Sequence, residues 1–363
     1  MKKSLRISLF ILLMTLAALG QKLGKPTLVA SPLTPAQQLT LKDGVKLHDE
    51  KKYTEAIAKY RSILAENPDC VAAMYELSFS LNEKGDKLEA IELAYKGSKY
   101  IADELPLFYV LIANELDDHG KPQEAINIYE DGLKALEGDN RFGKYRSSLF
   151  FNLGITHIKL KNYPEARKAL KSAVESDYSY ASPHFQLSKV YYGTKYKIPA
   201  LFAASRFLSV ELNTARSQNA AAMIVDILKP PAKDPKTGNT QIFLDINEPM
   251  DEGDFGSVNF ILPMLGLAKE DKGQSKTENE QFVDRLDSVV GLVAGDKKLA
   301  STFVGKNYIP FMVEMKKNGY LEVFGYTVLY VSGKKDAMDW LKNNDTKFGS
   351  FVAWAKSYQP PTK

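Results

Sequence analysis

Ser147–Tyr180 constrains the fold more than any other stretch of this chain, because it reads as two short helices joined by a tight turn. Phe150, Leu153, Gly154 and His157 fall on one helical stripe, and Ala166, Leu170 and Ala173 answer them across a turn at Lys161–Pro164. Gly154 and Ala166 are small where two backbones must approach. Asn162 and Pro164 supply turn chemistry, and Glu165 places an acid in the first turn of the second helix, where the helix dipole favours it. A pair this short cannot hide its own apolar face, so it has to be one unit of a stacked array.

Further units begin at Gln37, Val71, Pro106 and Ala181. The first is anchored by Gly44, Ala56, Tyr60 and Pro68, the second by Met74, Leu77, Leu81, Ala90, Ala94 and Gly97. Tyr109, Ile112, Ala113, Leu116, Gly120, Ala125, Tyr129 and Gly132 anchor the third, and His184, Leu187, Ser188, Tyr191, Ala200, Ala204 and Phe207 the fifth. Gly44 and Ser78 lie 34 residues apart, Ser78 and Ala113 35, and Gly154 and Ser188 again 34. Over Ala36–Asn213 this register of small and aromatic positions resembles the tetratricopeptide repeat. The resemblance implies an all-α, right-handed solenoid of five helix-turn-helix units. Only the first unit keeps the family's closing proline, as Pro68, and an insertion around Gly138–Tyr145 predicts a lengthened helix or an added loop.

The flanks give the remaining organisation. Residues 1–20 combine Lys2, Lys3 and Arg6 with an apolar run from Ile7 to Leu19 and small residues at Ala18 and Gly20, the three parts of a secretory signal peptide cleaved near Gly20. The run is too short for the ~20 apolar residues of a membrane span, and no other segment reaches that length. Residues 21–35 read as an extended leader, 36–228 as the solenoid with Ala215–Leu228 as a capping helix, 229–240 as a proline- and glycine-rich linker, and 241–363 as a smaller, mainly helical C-terminal domain. Within that domain Ile242–Ile246 reads as a strand or an apolar plug, a kink is expected at Pro263, and Leu321–Val331 fits strand and helix alike. Asn318–Tyr358 resembles a helical tail of exported bacterial repeat proteins.

Cleavage at Gly20 leaves 45 basic residues against 44 acidic ones, which gives no electrostatic case for nucleic acid or an anionic membrane surface. Cys70 is the single cysteine, so there is no internal disulfide and no lipid-anchor cysteine beside the signal. These features predict a periplasmic or secreted protein.

The repeat resemblance also implies where a partner binds. In that family the first helix of each unit lines the concave side, and one stripe of it faces a bound peptide. Carried over, that stripe includes Leu41, Val45 and His48, then Tyr75 and Phe79, then Asn114, Asp117 and Asp118, then Phe151 and Ile155, and finally Phe185, Lys189 and Tyr192. The resulting expectation is a peptide-binding groove, aromatic and aliphatic with an acidic spot at Asp117 and Asp118 that a partner's base would meet. The opposing expectation is that Tyr75, Phe79, Phe151 and Phe185 are solenoid core. Leu41 and Val45 stand where some family members begin a clamp for chaperone tails, which disfavours that ligand.

No zinc-protease helix, nucleophile elbow, phosphate loop or dinucleotide glycine pattern occurs. The four histidines His48, His119, His157 and His184 are isolated, and the acidic run Asp245–Asp254 lacks the spacing of a calcium loop. Trp340 and Trp354 sit among apolar neighbours and read as core. We therefore expect a non-catalytic, metal-free and cofactor-free scaffold for a protein or peptide. Alternatives are a glycan site, or an enzymatic one around Asp251, Asp254 and Glu314.

Overall fold

The turns inside the repeats share one backbone geometry, which sets the regular spacing of the array. The structure, a computed structural model, describes residues 23–232, 236–237, 240, 249–266 and 276–361. The expected signal peptide, Ile242–Ile246, and Asp245, Asn247 and Glu248 of the acidic run lie outside the described residues. Paired helices are α1 (Pro35–Asp49) and α2 (Tyr53–Glu66), α3 (Val71–Lys84) and α4 (Lys87–Gly97), and α5 (Leu105–Asp118) and α6 (Pro122–Ala135). They are followed by α7 (Gly143–Lys159), α8 (Tyr163–Ser176), α9 (Ala181–Gly193) and α10 (Lys197–Val210).

Each first helix ends on a left-handed residue: Lys51, Gly85, Gly120, Lys161 and Lys195. In every case the next residue's N–H donates to the carbonyl five positions back, as Asp86 does to Leu81 at 2.8 Å and Tyr196 to Tyr191 at 2.9 Å. The left-handed residue itself donates three positions back, as Lys51 does to His48 at 2.8 Å. This satisfies the orphan carbonyls of the helix end and reverses the chain in two residues.

The chain divides into two compact units after Asn162. In the first, helix pairs stack in sequence order, and aromatic rings occupy the space a side chain would need. A Cβ on Gly97 would lie 2.3 Å from the Phe108 ring and one on Gly132 2.8 Å from Tyr109, so small residues at these positions are a packing requirement. The insertion becomes a 3₁₀ turn at Asn140–Phe142 leading into α7, which is 17 residues long.

Residues 23–34 carry no helix. Strand β1 (Leu28–Val29) pairs in parallel with β2 (Tyr100–Ile101). Leu23 N–H donates to Asp131, Ser31 N–H to Asp69 O at 3.0 Å, and the Asn67 amide to Pro32 O. The leader therefore contacts α6 and then the two preceding inter-helix connections, running opposite to the order of the repeats.

In the second unit α8, α9 and α10 pack in turn, and α11 (Ala215–Ile227) packs on α10. The remaining helices are α12 (Gly256–Ile261), α13 (Glu278–Ala294), α14 (Phe303–Asn307), α15 (Ile309–Lys317), α16 (Leu321–Val331), α17 (Lys335–Asn343) and α18 (Asp345–Ser357). The chain turns 3₁₀ at Leu262–Gly266, around the kink expected at Pro263. Leu321–Val331 is helical.

The outer side of α11 meets α16, and α18 lies on α10, so helices after residue 256 share the core of the last repeats. At its centre Arg206 of α10, fully buried, donates to Ala355 O at the end of α18 and lies over the rings of Tyr178 and Phe311. Trp354 stacks on Phe311 at 5.2 Å and Trp340 on Tyr326 at 4.1 Å; both are packing residues.

Candidate functional site

On the first-helix face of the first unit, three rings form a continuous half-open stack. Phe79, 36% exposed, lies parallel to the half-buried Tyr75 at 6.0 Å and stacks on His48 of α1 at 4.7 Å. The stack is fixed from below. The Tyr75 ring meets the buried Phe108 edge-on, and His48 Nδ1 is hydrogen-bonded to the buried Ser80 hydroxyl at 2.7 Å. Helix periodicity puts Tyr75 and Phe79 one turn apart on α3, and the repeat register brings His48 of the preceding unit alongside. Burial raises the Tyr75 hydroxyl to about pKa 12, so it stays protonated and neutral.

His48 lies on the stripe expected to face a partner, one unit before Phe79.

The expected acidic spot is changed by pairing within the chain. Asp117 accepts from Lys159 Nζ at 2.7 Å and from the Thr156 hydroxyl at 3.2 Å, and its side chain is only 7% exposed. Asp118 stays open, with Lys159 at 3.6 Å. The base that meets these aspartates is the chain's own Lys159, whose pKa the Asp117 hydrogen bond raises. Asn114 is exposed and its Oδ1 accepts from the Tyr129 hydroxyl at 2.5 Å; Phe151 and Ile155 are half-buried.

In the second unit, taken alone, Phe185 is a correction to the groove expectation. It is 5% exposed, packed on Phe207 at 4.8 Å, with the cations of Lys189 and Arg216 over its ring. Two helices cover it there, and it belongs to the core. Lys189 is exposed, and Tyr192, also exposed, donates to Asp226 of α11.

Two of the three residues weighed for catalysis, Asp251 and Asp254, are held in local contacts. Asp251 pairs with Arg167 at 2.7 Å and accepts from Tyr196, and Asp254 accepts from the Gly256 N–H. His184 is fully buried between the Tyr308 hydroxyl at 2.9 Å and Tyr178 O at 3.0 Å, and burial lowers its pKa to about 3. Among the described residues no group of three or more His, Cys, Asp or Glu is placed to hold a metal ion, and no helix is long and apolar enough to cross a membrane.

The tetratricopeptide-repeat family model matches residues 49–104 and 110–182, short of half the chain. Among solved structures the chain is similar to PilF of Pseudomonas aeruginosa at 16% identity, over 53% of this chain and 84% of that one, with a TM-score of 0.46. It is similar to TTC0263, a tetratricopeptide-repeat protein of Thermus thermophilus, at 18% identity over 53% and 98%, TM-score 0.37. BtubC of P. vanneervenii is similar at 15% identity over 68% and 98%, TM-score 0.41. No curated protein matches the chain.

Proposed function

We propose that this array of tetratricopeptide repeats is a non-catalytic scaffold that holds a protein or peptide partner outside the cytoplasm. The observation that carries the reading is the half-open His48–Phe79–Tyr75 stack, a flat aromatic surface backed by core. Such a surface gains from covering an apolar or aromatic side chain, and its rigidity lowers the ordering cost of doing so. With Asp117 neutralised by Lys159, the neighbouring surface offers Asn114 and Asp118 for polar contacts and favours an apolar anchor over a basic one. The signal-like pattern of residues 1–20 and the near-balanced charge of the remainder support a site of action outside the cytoplasm.

Two measurements test this. N-terminal sequencing of the protein recovered from cell fractions is expected to begin at Gln21 in a periplasmic or secreted fraction; an intact Met1 in the cytoplasm refutes export. Crosslinking in the native envelope is expected to capture one partner stoichiometrically, through residues 75–79. A folded protein that captures nothing refutes the scaffold.

A further inference from the structure

A convergent set of donors stands in the second unit. Four side chains from α8, α9 and the turn before α10 converge on two adjacent carboxylates. Arg167 Nη2 donates to Asp251 at 2.7 Å, and its Nε, which makes no hydrogen bond, lies 3.3 Å from Glu252, so one guanidinium is ion-paired with both acids. Lys171 Nζ donates to Glu252 at 2.9 Å, the Tyr191 hydroxyl donates to the second Glu252 oxygen at 3.0 Å, and the Tyr196 hydroxyl donates to Asp251. The donors are preorganised. Arg167 is 8% exposed with its guanidinium carbon 4.6 Å from the centre of the Tyr196 ring, and Tyr191 is fully buried.

The occupant has a different character from its cradle. Residues 249–255 carry no helix or strand, Met250 is 66% exposed, and the Asp251 side chain is 56% exposed. Glu252 and Phe255 are driven in, each to 3% exposure. Gly253, at φ 124, turns the chain out again in a conformation closed to ordinary residues. The segment is thus a surface loop that inserts an acidic pair into donors built entirely on the repeats.

We propose that Arg167, Lys171, Tyr191 and Tyr196 form a binding cradle for an acidic peptide segment, and that Asp251–Glu252 is its resident occupant, supplied in cis. A partner with two neighbouring carboxylates competes for the same donors, and the resident loop sets the threshold. A tethered segment competes at an effective concentration on the order of millimolar. Partners presented at lower avidity are therefore excluded until the loop is displaced. Recognition depends on charge and on the fork of Arg167, since an amide pair offers one acceptor per side chain where the carboxylates offer two.

The test uses the full chain carrying Asp251→Asn and Glu252→Gln, which removes the occupant's charge while keeping the loop's shape. The probe is a fluorescent heptapeptide with the sequence of residues 249–255. Saturable binding is expected, at least tenfold tighter than to the wild type, weakened by salt, and lost when Arg167→Met is added. The proposal is overturned if the folded double variant shows no saturation at millimolar peptide, or binds a neutral Asn/Gln version of the peptide equally well.

A second measurement removes no charge and decides the question if the double variant does not fold. Met250→Cys carries an environment-sensitive dye at an exposed position, while the native Cys70 is 1% exposed. Titration with the acidic heptapeptide is expected to shift the dye's emission and the neutral one to leave it unchanged. An emission unmoved by millimolar acidic peptide overturns the proposal.

Discussion

Phe79→Ala separates a binding surface from a core position, and the structure sets the scale of both effects. Fully burying a phenylalanine stabilises by up to ~3 kcal/mol, and Phe79 keeps 36% of its surface exposed, so burial accounts for about 2 kcal/mol. Its stacking on His48 and Tyr75 adds roughly 0.5–1.5 kcal/mol. Phe185→Ala provides the comparison. That ring is 5% exposed, packed on Phe207, and its removal leaves a cavity worth about 3–5 kcal/mol.

Each kcal/mol moves the melting temperature by about 2–4 °C for a unit of this size. Melting each variant, followed by far-ultraviolet circular dichroism, is therefore expected to lower the Phe79 transition modestly and the Phe185 transition more. The two residues lie in different compact units.

Affinity for the captured partner then distinguishes the roles. An aromatic anchor at the centre of an interface costs about 2 kcal/mol or more on truncation, roughly 30-fold in Kd. The reasoning is refuted if folded Phe79→Ala binds the partner as tightly as the wild type, or if its melting falls as far as that of Phe185→Ala.

Three further outcomes follow from local geometry. Gly97→Ala puts a methyl group 2.3 Å from the Phe108 ring, an overpacking expected to cost about 1–3 kcal/mol in denaturant unfolding; an unchanged midpoint means the ring moves freely. Lys51 is left-handed at φ 61 where two other repeats use glycine, so Lys51→Gly is expected to stabilise by roughly 0.5–1 kcal/mol, and a lowered midpoint contradicts the turn geometry. His184 is held neutral by burial, with its folded pKa near 3 against an ordinary 6.5. The unfolded chain therefore takes up a proton that the folded one refuses. This contribution to stability is complete above pH 6.5 and declines as pH falls toward 3, by up to about 1.4 kcal/mol per unit. His184→Gln is expected to flatten the decline, and an identical pH slope in both proteins removes His184 as its source.

What was legible in the sequence was what adjacent helices impose on each other. Gly97 and Gly132 must be small because Phe108 and Tyr109 fill the space beside them, and the two glycines lie 35 residues apart, so the repeat register shows in the sequence. The turn residue is less visible, since glycine marks the left-handed position at 85 and 120 but lysine fills it at 51, 161 and 195. Leu321–Val331 resisted assignment because it is buried nearly all round, from Leu321 through Val323 to Leu329. A helix without a polar face loses the period that identifies it.

Phe79 and Phe185 looked alike for a related reason. Their exposure is set not by their own repeat position but by what arrives later: Phe185 is closed by Phe207 of the next helix and by Arg216 at the start of α11. The acidic cradle lies furthest from any local pattern, because Arg167 and Asp251 meet across 84 residues that include the proline-rich break. Read separately, Asp251 is part of a solvated acidic turn. Long-range charge pairing carries no periodicity, so a contact such as Arg167 with Asp251 leaves no mark in the local sequence.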